Sequence, residues 1–532
     1  MSKASAPEVV ELSTAQLEEL LAKLAGLLPG ELYPLIEKLL RTLQWVMRVL
    51  QAKEMTLGRL RRMIFGAKTE RSRNLLPQSG ADANNDKTQA PKPKPKAKGH
   101  GRKAAQDYPG AKHLAVPHSK FHLGDLCPKC LKGKLYLLKA PARIVRLAAQ
   151  PMFSATIFEL ERLRCALCGA LFTAAPPPEA GPGKYDPSCG VMLNLQRFGV
   201  GQPMYRTDKW QKYLGVPLAA STQWELMAAA SKTPEVVYEA LLKFAAQAEL
   251  LHNDDTPMRV QSLRREIEAA QDPDQRTGIF TTSIIAQVGK VPVALFFTGQ
   301  KHAGENLNQL LQNREANRSQ PLQMCDALSR NEPKEFQTLL CHCILHARRN
   351  FIGVDQSFPE ECRQVIESLR EIYRVDALAK ERKLSDPERL ALHQEQSKPV
   401  MDRLQQWMKE QLEQKKVEPN SGLGEAINYM LKRWETLTRF LCVPGAPLDN
   451  NITERALKTA IRHRKNSLSY KTLNGARIGD IHMSLIHTCE LNGVNPFDYF
   501  MALERHTEAV AKAPTCWFPW NYRQAIEAAD SS

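Results

Sequence analysis

Three acidic residues of this chain stand at positions where carboxylates could bind metal ions. Asp254 belongs to residues 251–257 (LHNDDTP), and Asp326 ends the short apolar segment 322–326 (LQMCD). Glu454 falls in the predicted first turn of a later helix. Carboxylate oxygens are the ligands that Mg²⁺ and Mn²⁺ prefer, and two such ions about 4 Å apart can catalyse in-line phosphoryl transfer. For each residue, spacing alone leaves open the alternative of a solvated loop carboxylate.

A basic stretch follows Glu454 directly, since residues 455–479 contain no acidic side chain. Its candidates for DNA contact are Arg455, Lys458, Arg462, Arg464 and Lys465. Two of them, Lys458 and Arg462, lie four and eight residues after Glu454 and therefore on the same predicted helix face. This pattern predicts a ridge that binds a phosphate backbone beside the carboxylate. An ordinary solvated helix face is the alternative.

Two Cys-x-x-Cys pairs predict a zinc site. Cys127 and Cys130 form the first pair, and Cys165 and Cys168 form the second, with 34 residues between the pairs. Four thiolates complete the tetrahedral shell of Zn²⁺ and leave no open position, so this ion would be structural. Strand-like residues between the pairs favour a zinc ribbon. Redox-active cysteine pairs are the alternative.

Length and composition limit the class of protein. The chain has 532 residues, 43% of them hydrophobic, and a net charge of +16 from 73 basic and 57 acidic residues. It can therefore bury a core, which excludes full disorder. No run of about 18 apolar residues predicts a membrane span. We expect a protein of the reducing cytoplasm without a secretory signal or a membrane partner, and the charge favours a polyanion such as nucleic acid.

Changes in composition and periodicity divide the chain into seven segments. They are an N-terminal helical zipper-like domain (1–76), a Pro/Lys-rich linker (77–115), a zinc-ribbon domain (116–176), a helical module similar to a helix-turn-helix (177–248), a strand-rich segment (249–349), a charged helical stretch (350–445) and a final helical block (446–532). Within the strand-rich segment, the β-branched runs 279–288 and 291–298 are joined by Gly289 and Lys290. This pattern predicts a β-hairpin.

Over nearly its full length the chain resembles the insertion sequence 66 (IS66) family of bacterial transposases. Beside the two cysteine pairs, the matching segments are 61–70 (RRMIFGAKTE), 251–257 (LHNDDTP), 346–351 (HARRNF) preceded by Cys343, 448–451 (LDNN), 454–457 (ERAL), 464–466 (RKN) and 491–494 (LNGV). Together they are far more specific than any one of them.

The resemblance implies a multidomain α+β protein with a ribonuclease H-like α/β catalytic core, interrupted by a helical insertion at 350–445. It implies an Asp-Asp-Glu triad of Asp254, Asp326 and Glu454 that holds two Mg²⁺ or Mn²⁺ ions. Asp255, which stands where the family usually carries Glu, and His346 would support the site, and His346 would position a phosphate or a carboxylate.

By the same resemblance, the protein is expected to be a DNA transposase. It would bind the terminal inverted repeats of an insertion sequence, cut the DNA and join it to a target, in the bacterial cytoplasm at the nucleoid. Double-stranded DNA is the expected partner, with a homo-oligomer on DNA and accessory proteins of the same element as further expectations. A zinc-ribbon DNA-binding protein with a decayed core is the alternative. Trp407 and Trp434 would either stack on a flipped base or pack within the insertion.

Overall fold

The computed structural model describes residues 14–26, 32–34, 36–41, 106, 114–138, 144–145, 152–164, 166, 168, 170–270 and 276–530. The chain divides into two compact units, which comprise Gly80–Arg197 with Gln202–Ala230, and Met1–Ser79 with Phe198–Gly201 and Ser231–Ser532. Most of the predicted zipper-like domain and of the Pro/Lys-rich linker lies outside the described residues, as does Cys165. In the described part of the chain, no helix is long and apolar enough to cross a membrane.

The first described helix, α1, spans Thr14–Ala25. The smaller unit then contributes two strands and three helices: β1 (Arg162–Arg164), β2 (Leu171–Thr173), α2 (Pro187–Asn194), α3 (Met204–Tyr213) and α4 (Ala220–Ala229). Strands β1 and β2 pair antiparallel. Asp186 caps α2 by accepting a hydrogen bond from Ser188 N. Helices α2 and α4 pack closely because residue 190 is glycine, where a Cβ would lie 2.6 Å from the Cβ of Ala230.

A five-stranded mixed sheet organises the larger unit. Its strands are β3 (Leu250–Pro257), β4 (Phe280–Val288), β5 (Val291–Gly299), β6 (Leu322–Cys325) and β7 (Leu339–His342). They lie in the order β5-β4-β3-β6-β7. Strands β3, β4 and β5 are antiparallel neighbours, whereas β6 runs parallel to both β3 and β7. The predicted hairpin is confirmed, because β4 and β5 meet at the Val288–Val291 pair and Gly289 takes a positive φ of 55°.

Helices surround and interrupt this sheet. They are α5 (Lys232–Ala245), α6 (Gln261–Ala270), α7 (Ala303–Leu311), α8 (Ile344–Ile352), α9 (Pro359–Glu381), α10 (Asp386–Gln396), α11 (Lys398–Glu413), α12 (Gly422–Lys432), α13 (Trp434–Leu437), α14 (Asn451–Ser467), α15 (Leu473–Leu491), α16 (Pro496–Arg505), α17 (Thr507–Lys512) and α18 (Tyr522–Asp530).

Helix α15 covers the open edge of the sheet at β5. Three of its side chains accept hydrogen bonds from the outward backbone N–H groups of the strand. The pairs are Asp480 with Thr298 (2.7 Å), Ser484 with Phe296 (2.9 Å) and Thr488 with Ala294 (3.0 Å). The acceptors are four residues apart on the helix, a rise of about 6 Å, and the donors are two residues apart on the strand, a rise of about 6.7 Å. The two spacings are similar, so successive acceptors can meet successive donors. The helix thereby supplies the acceptors that a sixth strand would have supplied.

Four helices within the predicted insertion, α9, α11, α12 and α13, share a hydrophobic core with β6, β7 and α8, and Leu392 of α10 packs in a smaller cluster with Val375 and Ala379 of α9. Trp407 and Trp434 are partly buried and pack against this core, as the packing interpretation expects. A buried polar network adds to it: Asp376 accepts hydrogen bonds from Arg389 (2.8 Å) and pairs with Lys380 (2.7 Å). The insertion is therefore packed into the larger unit from β6 onward.

Gly304 offers a test of the packing beside the sheet. A Cβ at this position would lie 2.3 Å from the carbonyl oxygen of Glu332, so Gly304→Ala must push α7 away from that turn. We expect a loss of about 1–3 kcal/mol in unfolding free energy, measured by urea denaturation. Gly299→Ala is the matched control, because no atom lies within 4 Å of its Cβ position. Equal stability of the two variants would contradict this account.

Candidate active site

The register of two parallel strands brings two of the predicted carboxylates together. Strand β3 pairs with β6 through Leu250–Leu322 and His252–Met324. Continued by two residues, the same register sets Asp254 level with Asp326, which directly follows β6. Neighbouring strands lie about 4.8 Å apart, so the two carboxyl groups are close neighbours at one end of the pair.

The proximity of the two carboxyl groups has an electrostatic consequence. Burial raises the pKa of Asp254 to about 7, and the charge of Asp326 is the next largest cause. The charge of Glu454 contributes in the same direction. The three predicted carboxylates thus lie within electrostatic reach of one another, and their mutual repulsion favours a proton, or a cation, at this place.

Asp326 is held by a turn that the sequence analysis missed. Asn331 Nδ2 donates to Asp326 Oδ1, and Leu328 N donates to the same oxygen at 3.3 Å. The carbonyl oxygen of Asn331 in turn accepts from Asn253 Nδ2 at 2.8 Å and from Gln323 Nε2 at 2.8 Å. Asn331 therefore ties the carboxylate to both strands that flank it.

Glu454 occupies the first turn of α14, where Arg349 of α8 pairs with it. The guanidinium donates to Oε2 at 3.2 Å and to Oε1 at 3.4 Å. His346 Nε2 lies 3.1 Å from Arg349 Nη1 and 3.9 Å from Glu454 Oε1. The structure thus places His346 beside Glu454, and it adds Arg349, which the sequence analysis did not select as a site residue.

A buried asparagine sets the start of α14 against the central strand. Asn450 Oδ1 lies 3.1 Å from His252 Nδ1, and Asn450 Nδ2 donates to the carbonyl oxygen of Asn253 at 3.1 Å. Burial lowers the pKa of His252 to about 4, so the imidazole is neutral at physiological pH. These contacts fix the position of Glu454, four residues further along the helix.

Asp255 has a different set of contacts from Asp254, although its charge also raises the pKa of Asp254. Successive side chains of a strand point to opposite faces, so Asp255 and Asp254 diverge. The carboxylate of Asp255 is 1% exposed, with His302 Nδ1 at 2.9 Å and Arg330 Nη2 at 3.6 Å. At the end of the β3–β6 pair, Asp254 therefore lies level with Asp326, whereas the carboxylate of Asp255 contacts His302 and Arg330.

The predicted basic residues share α14 but differ in their surroundings. Four are exposed and are spaced by three, four and three residues along one face: Arg455, Lys458, Arg462 and Lys465. Arg464 is half-buried and donates to Thr256 Oγ1 at 3.1 Å and to the carbonyl oxygen of Pro257. It thus joins α14 to the end of β3, whereas the other four present a continuous basic face.

Two groups of residues could hold metal ions. Asp254, Asp326 and Glu454 offer carboxylate oxygens, the ligands that divalent cations such as Mg²⁺ prefer. A bound cation would also offset the repulsion among the three negative charges. In the other group, hydrogen bonds from the backbone of Gly133 and Lys132 lower the pKa of the Cys130 thiol, with Cys127 a further donor. Within the described ranges, however, no three His, Cys, Asp or Glu side chains stand close enough to hold an ion.

Comparison with known proteins places this site inside a family. A model described as "Transposase IS66 family" matches residues 183–478, a range that contains all three carboxylates. The chain is 27% identical over 391 residues to the uncharacterized protein y4hP of Sinorhizobium fredii (strain NBRC 101917 / NGR234), covering 69% of this chain and 68% of that protein. It is 24% identical to the uncharacterized protein y4jD of the same strain, covering 68% and 71%.

The raised pKa of Asp254 predicts how stability depends on pH. Above about pH 4 the carboxyl is ionised in the unfolded chain, but in the folded protein it keeps its proton up to about pH 7. The unfolding free energy should therefore fall as pH rises through this window. Asp254→Asn removes the titration, so we expect this variant to gain on the order of 1–3 kcal/mol over wild type between pH 4 and pH 8.

Urea denaturation without added divalent metal measures this gain. The matched control is Glu425→Gln, which alters an exposed carboxylate of α12 and should follow the wild-type profile. Parallel pH profiles for wild type and Asp254→Asn would show that the carboxyl is not destabilised in the folded protein.

Proposed function

The chain belongs to the IS66 family of transposases, and we propose that it is a metal-dependent enzyme that acts on the ends of an insertion sequence. It binds the terminal inverted repeats, cleaves the DNA there and joins the freed 3′ end to target DNA. The observation that carries this proposal is the level placement of Asp254 and Asp326 on parallel strands, with the charge of Glu454 close enough to raise the pKa of Asp254.

We propose that the core is ribonuclease H-like. Three antiparallel strands are followed by two strands parallel to the first, and the first strand lies at the centre of the sheet. One acidic residue sits on that central strand, another at the end of its parallel neighbour, and the third on a helix after the insertion. This order of strands and carboxylates supports the proposed core.

Asp254, Asp326 and Glu454 would hold two Mg²⁺ or Mn²⁺ ions. When bound, the ions activate water and stabilise the oxygen that leaves the phosphate. Neighbouring residues position these carboxylates. Asn331 orients Asp326 by a hydrogen bond, and Asn450 fixes the helix that carries Glu454. Arg349 places positive charge beside Glu454, where a DNA phosphate would have to approach, and His346 lies next to that guanidinium.

DNA contact is proposed for the exposed face of α14. Arg455, Lys458, Arg462 and Lys465 form one basic row that starts next to Glu454. Such a row gives affinity for phosphates without sequence readout, and it makes binding weaker at higher salt. Recognition of the repeats would then fall to the helices of the smaller unit, with a homo-oligomer and accessory proteins of the element assembling on the DNA.

One structural Zn²⁺ is proposed for Cys127, Cys130, Cys165 and Cys168. The support is the turn after the first pair, where Cys127 N donates to the carbonyl oxygen of Gly133 at 2.7 Å and Leu131 N donates to that of Cys127 at 2.8 Å. This turn directs backbone N–H groups toward the thiol of Cys130, which favours the thiolate that zinc needs.

Cleavage and strand transfer on DNA that carries the inverted repeats, with Mg²⁺ added, test the proposed activity. Asp254→Asn, Asp326→Asn and Glu454→Gln should each lower the cleavage rate more than about 100-fold, because each removes an ionic oxygen ligand. Glu425→Gln on α12 is the control and should retain the wild-type rate. Salt-sensitive DNA binding by the wild type with no Mg²⁺-dependent cleavage would instead support a decayed core.

Metal analysis tests the zinc proposal separately. We expect close to one zinc per wild-type chain, and a clear loss of zinc in Cys127→Ser and Cys165→Ser, since three thiolates bind zinc more weakly than four. Cys442→Ser alters an exposed cysteine outside the ribbon and should keep its zinc. Full zinc content in all three variants would exclude this ligand set.

A further inference from the structure

Leu468, directly after α14, has a strained backbone and an exposed side chain. Its φ is 65° and its ψ is −42°, and Ser469 N donates to the carbonyl oxygen of Ser467 at 2.8 Å. These values describe a γ-turn of the rare hand, which a branched side chain seldom adopts. The leucine side chain is 68% exposed, so burial of apolar surface does not explain why leucine, rather than glycine, ends this helix.

The segment around Leu468 is held firmly against the end of β3. Tyr470 N donates to the carbonyl oxygen of Arg259 at 2.8 Å, and Gln261 N donates to that of Tyr470 at 2.9 Å. Gln261 Nε2 adds a bond to Ser469 Oγ at 2.9 Å, and Tyr470 itself is buried. The leucine is therefore presented to solvent by a fixed support.

A cavity lies beside Leu468. Its volume is about 580 Å³, within the range of small-molecule sites. Its walls combine aliphatic side chains with three charged residues, of which Arg264 and Glu268 pair at 2.8 Å: Met258, Ile267, Ile279, Leu468, Arg259, Arg264 and Glu268. Apolar walls beside a guanidinium group suit an unstacked nucleobase.

The cavity begins a few residues beyond the candidate active site along the chain. Met258 follows Asp254 by four residues along the chain, a path of at most about 13 Å, or roughly four base steps of 3.4 Å along one DNA strand. Arg464 joins the end of β3 to α14, the helix that carries the basic row. DNA bound along that row would therefore pass Leu468 within a few nucleotides of the carboxylates.

We propose that Leu468 is an apolar wedge that enters the DNA stack beside the cleavage position, and that the cavity next to it receives the displaced base. The inference rests on the proposed function, since it needs DNA at this site. An inserted leucine separates two base pairs, and the strained turn keeps the side chain extended while it does so. Arg259 in the wall of the cavity then lies beside the displaced nucleotide.

Permanganate oxidation of unpaired thymines tests the wedge, with the protein bound to a duplex that carries one inverted repeat. Wild type should create a reactive thymine near the cleavage position, and Leu468→Gly should reduce that reactivity by about tenfold, since the apolar wedge that offsets unstacking is lost. Glycine accepts the positive φ, so the thermal midpoint should be equal or higher. DNA affinity should stay within about twofold, because the phosphate contacts remain.

The matched control is Lys415→Gly, which relieves a similar positive φ of 54° within the insertion. It should leave thymine reactivity unchanged. Ile267→Trp, which fills the cavity, should lower the reactivity while Leu468 is still present. Wild-type reactivity in both Leu468→Gly and Ile267→Trp would overturn the inference, and continued cleavage by the wild type would leave the proposed function intact. A wild type that neither binds nor cuts the duplex would overturn both.

Discussion

The acidic site depends on the parallel pairing of β3 with β6. This register sets two carboxyl groups level at neighbouring strand ends, where burial and mutual repulsion raise the pKa of one of them to about 7. Such an arrangement is unfavourable by itself, because two like charges share a place with little water. Asn331 donates to Asp326 and is itself held by the side chains of Asn253 and Gln323, and Asn450 ties the start of α14 to the backbone of β3.

The strands and the turn that position the candidate site could be predicted from the sequence, because their signals are local. The β-hairpin follows from two β-branched runs joined by Gly289, and the two aspartates follow apolar segments that do form strands. Family membership was likewise predictable from several short segments taken together, and the match over residues 183–478 confirms it. The hairpin and the strand ends each depend on about ten residues of chain, whereas the family depends on several such segments together.

Long-range partners could not be predicted in this way. Arg349 lies 105 residues before Glu454 in the chain, and only the packing of α8 against the start of α14 brings them together. Spacing alone also did not separate Asp254 from Asp255, and only the resemblance favoured Asp254, because the distinction depends on the register of β3 with β6 and on which face of the sheet each side chain takes. Arg464 looked like its four basic neighbours, but tertiary contacts turn it toward β3 and leave the others exposed.

The cover that α15 gives to β5 has a consequence for the growing chain. Its hydrogen bonds join residues that are 182 to 194 positions apart, so the edge of the hairpin can close only after α15 has been synthesised. Until then, the N–H groups of β5 are open to pairing with any extended segment, including the same strand of another nascent chain. Helix α15 is therefore synthesised after all five strands and closes the edge of the sheet last. A chain cut short before it would be prone to aggregate, and would not be a smaller version of the protein.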